Sequence, residues 1–587
     1  MRKKILSAVC LLLAAIICML GCADTFDSAV NSNLGTTISK SEIQTEEDFH
    51  IRDKDLLYEQ QNNTEIVTMY LTVSRGNSAE NTDHTWEEIN TYSAYDYEEM
   101  GVERYKIAGL IQVGDENGLI PGELGYGQVA PNCTVQIRGQ SSSRNVQKNY
   151  KISIKDNKGD WRGQQTIALN KHQGEGLRFR NKLGFDLLSG IEELMSLRTT
   201  FVRLYVKDLT SGADAKFEDY GIYTQVEQLN KTALERHGLD KRGHLYKINL
   251  CEFFRYEDII VPSDDPAYNL AAFEEILEVK GDDDHTKLIR LLDRINDYSI
   301  PIETILAEDF DVENIAYWMA FQILIGNIDT QNRNFYLYSP LNDERWYILP
   351  WDLDGSFRLT EYDILDRNDY AEWERGISNY WGNELFKRCL KSDFYRKKLD
   401  EAMTDLYAKL TDGRIEAYAK SYSELLKPLV FSGRDALAMP VTAQQYDIIA
   451  NSLTDEVKNN YLTYKQSYEK PMPFYIGVPM SDGKNISFIW DTAYTFDAES
   501  VTYTFELAKD YTFENPIIKE TDLIIPTAQF KLLPEGQYFT RVTAQDAGGQ
   551  TQTAFDSYMT ESGKVYGTKC FYVDTNGQIV EDVYVED

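Results

Sequence analysis

The chain has 587 residues, far more than the roughly 250–300 at which a single hydrophobic core stops growing, so two or more domains are expected. With 42% hydrophobic and 12% aromatic residues and only 15 prolines, the composition excludes a largely disordered chain. The formal net charge of −34 argues against nucleic acid as a partner, because affinity for the phosphate backbone depends on an excess of Lys and Arg.

The N-terminus resembles that of a bacterial lipoprotein. Three basic residues precede an apolar run that ends at Leu20, which is typical of a secretory signal rather than of a membrane span. The run continues into MLGCAD, which resembles a lipobox with Met19 in place of the usual aliphatic residue. We therefore expect a signal peptide over residues 1–22, lipidation of Cys22 at the extracytoplasmic face of the cell membrane, and a polar tether over residues 23–60. An ordinary signal peptide with a chance cysteine is the alternative.

Strand patterns dominate the next part of the chain. Alternating β-branched and aromatic residues predict strands in IVTMYLTV, YKIAGLIQV, CTVQIRG, NYKISIKD and QTIALN. LRFRNKLGFDLLSGI is predicted to be a helix, and TTFVRLYVKD and YGIYTQVEQL are predicted to be two further strands. This part is therefore expected to be a sheet with one helix.

After about Pro266 the pattern changes to helices. They are predicted in NLAAFEEILEVKG, DHTKLIRLLDRIND and DVENIAYWMAFQILIG, the last with Asp311 as its N-cap. Two short strands, NFYLY and RWYILPWD, follow, and helical segments continue to about Tyr468. Because a strand-rich half followed by a helical half with one hairpin is the bilobal layout of a kinase, we predict an α+β, atypical protein-kinase-like domain over residues 61–468.

The last part of the chain is predicted to be an all-β sandwich over residues 470–587. Short alternating strands recur there with Gly and Asp turns. LPEGQYFTRVTAQDAGG resembles the closing hairpin of a fibronectin type III domain, with Tyr538 at the tyrosine-corner position and Trp490 as a core aromatic residue.

A cluster of polar residues in GNIDTQNRNFYLY separates the apolar helix from the hairpin. Asp329 and Asn334 lie five positions apart there, and PWDLDGSF brings Asp352 and Asp354 to the end of the partner strand. The hairpin allows these side chains to converge, and hard oxygen ligands of this kind suit Mg²⁺ or Mn²⁺. Protein kinases space their catalytic Asp and metal ligands as D-x-x-x-x-N, a hairpin and a metal-binding Asp. The alternative is a turn whose side chains cap their own backbone, and we expect Asn332 to do only that.

A second group of candidates suits phosphate. In RGQSSSR, which lies between two predicted strands, Gly139, Ser141 and Ser142 are placed to cradle a phosphate group. The following strand offers a lysine for the α- and β-phosphates, and we favour Lys151 over Lys148. A solvated basic face is the alternative for either lysine.

Five motifs together resemble the CotH family of spore-coat-type atypical protein kinases: IRGQSSSRNVQKNYKISIK, YGIYTQVEQL, GHLYKI, GNIDTQNRNFYLY and RWYILPWDLDGSF. The resemblance covers roughly residues 64–430 and implies a secreted or cell-surface Ser/Thr kinase that uses ATP and a divalent metal. It implies that Asp329 is the catalytic Asp, that Asn334 and Asp352 bind metal, and that Asp354 is a second metal contact or a loop brace. GNID replaces the H-R-D of protein kinases and no A-P-E motif is found, which argues against phosphorylation-controlled activation.

Two further residues are candidates for the nucleotide site. Glu227, in YTQVEQL, resembles a family position near the nucleotide, where it would pair with the phosphate-binding lysine or border the adenine. A sheet-surface glutamate is the alternative. Lys247, in HLYKI, is a third candidate phosphate contact.

The leading hypothesis is a lipid-anchored extracytoplasmic kinase that phosphorylates Ser or Thr of proteins. The net charge of −34 makes a basic, Ser-rich acceptor a reasonable expectation. The tether and the C-terminal sandwich suggest an alternative from another class, a non-catalytic surface adhesin or carbohydrate-binding lipoprotein on a kinase-like scaffold.

Overall fold

The computed structural model describes residues 50–582 except residues 52, 60–63, 368–369, 499 and 562. The predicted signal peptide, Cys22 and most of the predicted tether lie outside these residues. The chain forms two compact units: the larger comprises His50–Asn368 and Asn383–Thr463, and the smaller includes Asp369–Gly382 and Tyr464–Asp587. In the described part of the chain, no helix is both long and apolar enough to cross a membrane.

The described residues form helices and strands in an α+β arrangement, as predicted. The helices are α1 (Leu56–Glu59), α2 (Trp86–Thr91), α3 (Ala94–Met100), α4 (Arg180–Leu188), α5 (Lys231–His237), α6 (Leu270–Ile276), α7 (Thr286–Asn296), α8 (Ile302–Asp309), α9 (Val312–Ile325), α10 (Leu359–Leu365), α11 (Glu384–Lys391), α12 (Asp393–Leu410), α13 (Arg414–Val430), α14 (Gly433–Ala436) and α15 (Ala443–Ser467). The strands of the larger unit are β1 (Ile66–Ser74), β2 (Ile107–Asp115), β3 (Gly118–Leu119), β4 (Cys133–Arg138), β5 (Asn149–Ile154), β6 (Thr166–Asn170), β7 (Thr199–Asp208), β8 (Glu218–Glu227), β9 (His244–Ile248), β10 (Leu277–Val279), β11 (Phe335–Ser339) and β12 (Tyr347–Pro350). Those of the smaller unit are β13 (Met480–Ser481), β14 (Asn485–Ile489), β15 (Thr502–Ala508), β16 (Ile518–Leu523), β17 (Thr527–Lys531), β18 (Gly536–Gln545), β19 (Thr551–Thr553), β20 (Ser557–Thr560), β21 (Gly563–Tyr566), β22 (Thr568–Val573) and β23 (Ile579–Glu581).

Seven strands of the larger unit close into a barrel. They follow the order β1-β7-β8-β6-β5-β4-β2, and β1 also pairs with β2, so the two ends of the sheet are joined. Buried apolar residues alternate along β4 and β5 with less buried, mostly polar ones. The apolar set fills the barrel interior, so the other set, which includes Arg138 and Lys151, lies on the outer face.

Two short helices, α2 and α3, lie between β1 and β2, where the sequence pattern predicted only strands. At the start of α2, the Thr85 backbone donates to the Glu88 carboxylate at 2.6 Å and the Glu88 backbone donates to the Thr85 hydroxyl at 3.1 Å. Ser93 and Asp96 form the same reciprocal cap at the start of α3. These capping boxes, rather than apolar periodicity, were the sequence signal for both helices.

The helix predicted in NLAAFEEILEVKG ends earlier than expected. Helix α6 stops at Ile276, and Leu277 begins β10, where it pairs with Ile248 of β9. This pairing completes a four-stranded sheet in the order β10-β9-β11-β12. Pairing with a distant strand therefore overrides the local helical pattern.

Helix α9 leads into the polar cluster. Asp311 caps its N-terminus, as predicted, by accepting hydrogen bonds from two backbone N–H groups, and Gly326 ends it in a left-handed conformation with φ of 67°. Strands β11 and β12 then form the predicted hairpin, in which Phe335 pairs with Pro350. Asn334 and the residues that follow Pro350 therefore lie at the same end of the hairpin.

The smaller unit is rich in β-strands. It contains a three-stranded sheet, β13-β14-β17, and a larger sheet in the order β16-β15-β18-β22-β23. Trp490 is 3% exposed within the core, and the Tyr538 hydroxyl donates to the Pro534 carbonyl at 2.9 Å. The fibronectin type III assignment and the exact domain boundaries stay predictions.

Candidate functional site

The loop between α9 and β11 brings Asp329 and Asn334 together. The Asn334 side-chain amide donates to Asp329 Oδ2 at 2.7 Å. Asn334 has a left-handed backbone with φ of 61°, a conformation that few residues other than Gly and Asn tolerate. The Asp329 side chain is 57% exposed, so its carboxylate is accessible from solution.

Contacts from distant parts of the chain hold this loop. The Asn332 side chain donates to Glu252 Oε1 at 2.9 Å. The Asn383 side chain donates to the Gln331 carbonyl at 2.9 Å. The expectation that Asn332 only caps its own backbone is therefore wrong, because its amide braces the loop against a residue 80 positions away.

Asp352 and Asp354 form a tightly coupled pair directly after β12. Burial and the neighbouring Asp354 carboxylate raise the pKa of Asp352 to about 7, and Asp329 adds to the effect. Burial also acts to raise the pKa of Asp354, but the hydrogen bond and charge of His172 outweigh it and lower that pKa. Asp352, like Asn334, has a left-handed backbone, with φ of 54°. The pair therefore combines repelling carboxylates with backbone strain, a combination common at ligand sites.

A cavity of about 310 Å³ lies beside the aspartate pair. Gly139 and Ser142, from the predicted phosphate loop, line this cavity together with Asp352 and Asp354. The structure thus brings together residues that lie more than 200 positions apart in the sequence.

The predicted phosphate loop, RGQSSSR, requires glycine at its first turn. Gly139 has a φ of 88°, and a Cβ atom there would lie 2.1 Å from the Ser142 hydroxyl oxygen. Ser142 accepts a hydrogen bond from the Asn149 side chain at 3.0 Å. Ser141 is exposed and is not among the cavity-lining residues.

Parts of the chain are similar to known proteins. A family model described as CotH kinase protein matches residues 135–467, more than half of the chain. The chain belongs to the CotH kinase protein family. Inner spore coat protein H of Bacillus subtilis (strain 168) is 23% identical over 318 residues, covering 53% of this chain and 81% of that protein. Among solved structures, the Helicobacter pylori proinflammatory kinase CtkA matches 54% of this chain and 94% of its own, with 11% identity and a TM-score of 0.27.

The range matched to the CotH family contains all the predicted nucleotide and metal residues, and the structure separates the two lysines among them. Lys148 is buried, and its ammonium donates to the Ser143 carbonyl at 2.6 Å, so it braces the phosphate loop. Lys151 lies on the outer face of β5, where burial and the charge of Lys280 lower its pKa while Glu278 opposes them. Neither lysine is among the cavity-lining residues.

Two other cations interact electrostatically with Asp352. Arg138 lines the cavity, and burial lowers its pKa while the charge of Asp352 opposes that effect. Burial also lowers the pKa of Lys247, opposed by Glu278 and then by Asp352. Sequence reasoning gave Lys247 a minor place and missed Arg138, although Arg138 directly precedes Gly139 in the RG motif.

Glu227 lies away from the cavity. The strand register places Glu227 opposite Ile167 on the inner side of the barrel sheet, whereas Lys151 pairs with Ala168 on the other side. The Glu227 carboxylate accepts from Arg198 Nε at 3.0 Å and is only 1% exposed. The structure therefore does not bring Glu227 to the phosphate lysine, and its carboxylate belongs to a buried ion cluster instead.

Three buried side chains that were not predicted from the sequence contact the segment that carries Asp352 and Asp354. His172 Nδ1 lies 3.2 Å from Asp354 Oδ2, the Leu353 backbone donates to Asn181 Oδ1 at 3.2 Å, and the Asn327 side chain donates to the Asp352 carbonyl at 3.4 Å. His172 and Asn181 come from a part of the chain more than 170 positions before the loop. No local pattern could have revealed them, but Asn327 stands in the GNID motif itself.

Proposed function

We propose that this chain is a protein kinase that transfers the γ-phosphoryl group of ATP to Ser or Thr hydroxyls of proteins. The observation that carries the proposal is the convergence of the aspartate pair, the phosphate loop and Arg138 around one cavity. Asp329 accepts a hydrogen bond from Asn334, which lies at the same end of the hairpin as Asp352. Membership of the CotH kinase protein family supports the same reaction.

A divalent ion, Mg²⁺ or Mn²⁺, fits the acidic end of the cavity. Asp352 and Asp354, which line the cavity, would bind it through carboxylate oxygens. Asn334 is not among the lining residues but lies at the same end of the hairpin, and it would bind the ion through its amide oxygen. Such an ion, when bound, neutralises phosphate charge that develops during transfer. Among the described residues no group of three or more His, Cys, Asp and Glu side chains is arranged to hold a metal. Mg²⁺ typically takes one or two carboxylates and completes its shell with water and phosphate oxygens, so the Asp352 and Asp354 carboxylates would suffice.

The remaining residues bind and orient the reactants. The exposed Asp329 carboxylate is the proposed catalytic group, which accepts the hydrogen bond and then the proton of the acceptor hydroxyl. The Asn334 amide fixes its orientation. Gly139 lets backbone amides approach the phosphates, and Arg138 supplies positive charge, with Lys151 and Lys247 as further candidates.

We also propose that the protein acts outside the cytoplasm, anchored through a lipid on Cys22. The lipobox-like MLGCAD supports the anchor, and the similarity to an inner spore coat protein supports a surface location. A basic, Ser-rich protein is the proposed acceptor because the chain carries a net charge of −34.

Phosphoryl transfer can be tested directly with the full chain from Cys22 onward. The protein is incubated with γ-labelled ATP, Mg²⁺ or Mn²⁺ and a basic Ser-rich protein, and incorporation of label is measured. We expect incorporation that the Asp329→Asn variant abolishes. The Asp455→Asn variant is the matched control, because that side chain is 76% exposed on helix α15.

One combination of results would overturn the proposal. It is an absence of incorporation together with an absence of thermal stabilisation by Mg·ATP. Stabilisation by a glycan but not by nucleotide would instead support the non-catalytic binding lipoprotein.

A further inference from the structure

The His172 imidazole contacts the aspartate pair beside the cavity. Its side chain is only 4% exposed, and Nδ1 lies 3.2 Å from Asp354 Oδ2. His172 also lines the cavity. Its backbone has a φ of 50°, a left-handed conformation that is uncommon for residues other than glycine.

The second ring nitrogen has a different environment. Nε2 is buried and has no hydrogen-bond partner among the described residues. The same is true of Glu175 Oε2, from another residue that lines this cavity. A buried polar atom without a hydrogen-bond partner destabilises the fold by about 1–3 kcal/mol. Such atoms beside a cavity therefore indicate that a ligand in the cavity forms hydrogen bonds with them.

We propose that His172 has two roles in this site. Nδ1 holds one oxygen of Asp354, which leaves the other oxygen for a cation. Nε2 forms a hydrogen bond with an oxygen atom that enters with the metal–nucleotide complex, either a phosphate oxygen or a metal-bound water. Partners of this kind, which orient a metal-binding carboxylate, change metal affinity by roughly 10- to 100-fold when they are removed.

This inference rests on the proposed nucleotide site but can be tested without turnover. Binding of Mn²⁺ to the full chain is measured from the electron paramagnetic resonance signal of the free ion, with and without a non-hydrolysable ATP analogue. If Mn²⁺ binds but no phosphoryl transfer occurs, only the proposed function fails. If Mn²⁺ does not bind to the wild-type protein, the inference about His172 is overturned.

Two substitutions separate the two nitrogens. In His172→Gln the amide can reach the position of Nε2 but not that of Nδ1, so we expect the Mn²⁺ affinity to fall by roughly 10- to 100-fold. In His172→Asn the amide nitrogen can replace Nδ1, and Asn tolerates the left-handed backbone. We therefore expect His172→Asn to retain the positioning of Asp354 and to lose only the contact with the incoming oxygen.

The binding pattern of His172→Asn identifies that oxygen. A loss of about 10-fold in affinity for the nucleotide analogue alone assigns a phosphate oxygen, whereas a similar loss for Mn²⁺ alone assigns a metal-bound water. Unchanged binding of both would overturn the role of Nε2, and unchanged Mn²⁺ binding by His172→Gln would overturn the role of Nδ1. His84→Asn, at a histidine that does not line the cavity, is the control, and melting temperatures verify that each variant is folded.

Discussion

Two groups of charges in the larger unit are built from similar residues but are balanced differently. Around Glu227 the charges alternate in sign. His237 lies 2.6 Å from Asp53 and 3.0 Å from Glu227, and Arg198 binds Glu227 from another direction. Around Asp352 two carboxylates lie within hydrogen-bonding reach of each other beside a cavity.

The balance of charge decides the direction of each pKa shift. Burial acts to raise the pKa of Glu227, but hydrogen bonds from His237 and Arg198 outweigh it and bring the pKa down to about 2. At Asp352 burial acts together with a like charge, and the pKa rises to about 7. Breaking a fully paired buried carboxylate destabilises the fold because its partners are left uncompensated, whereas a carboxylate crowded by another carboxylate favours a bound cation.

The largest effect is expected from Asp352→Asn. Removing this carboxylate should lower the rate of phosphoryl transfer on the order of 10⁴-fold, because charge stabilisation at the phosphates is lost. The melting temperature should stay the same or rise, because the repulsion from Asp354 is relieved. Labelled ATP and a thermal melt measure the two quantities, and a large fall in the melting temperature would contradict a functional role.

Glu227→Gln should show the opposite pattern. The substitution leaves Arg198 without its anion and His237 with Asp53 alone, which should lower the free energy of unfolding by about 3–5 kcal/mol. Transfer activity per folded molecule should not change. Urea unfolding tests this, with Glu235→Gln, at a 60% exposed site, as a control expected to stay within about 0.5 kcal/mol.

The buried ion cluster around Glu227 should also make the stability of the fold depend on pH. Burial acts to lower the pKa of His237, but hydrogen bonds with Asp53 and Glu227 raise it from 6.5 to about 9. A raised histidine pKa stabilises the fold fully below pH 6.5, and this contribution is lost as the pH rises through about 9. The loss should reach at most about 3 kcal/mol. Urea unfolding between pH 6 and pH 9.5 measures it, and stability that increases over this range would refute the assignment.

The smallest effect is expected from the cations beside the aspartate pair. Arg138→Met should raise the KM for ATP by roughly 10- to 100-fold, which corresponds to the loss of one charge-assisted hydrogen bond. Lys151→Met should raise it less, because Lys151 is not among the cavity-lining residues. Steady-state kinetics at varied ATP distinguish the two, and the reverse order would restore Lys151 as the main phosphate contact.

The parts of the structure that depend on local residue spacing could be predicted from the sequence. The D-x-x-x-x-N motif and the hairpin between Asn334 and Asp352 sufficed to predict that these side chains lie at one end of two paired strands. Helices α2 and α3 were missed because their signal was in capping residues rather than in apolar periodicity.

The parts that depend on long-range packing were not accessible from the sequence. Glu227 lies on the inner side of the barrel sheet because of the pairing register across β5, β6 and β8. The contact between His172 and Asp354 joins residues 182 positions apart. Such contacts depend on how distant segments are brought together, which no single stretch of residues encodes.

The closed barrel has a further consequence for behaviour at high local concentration. An open sheet presents unpaired backbone groups at its edges, and another chain can extend it there. Pairing of β1 with β2 occupies those groups in the larger unit. Copies of the protein that are crowded together on a surface would therefore have little opportunity to join through these seven strands.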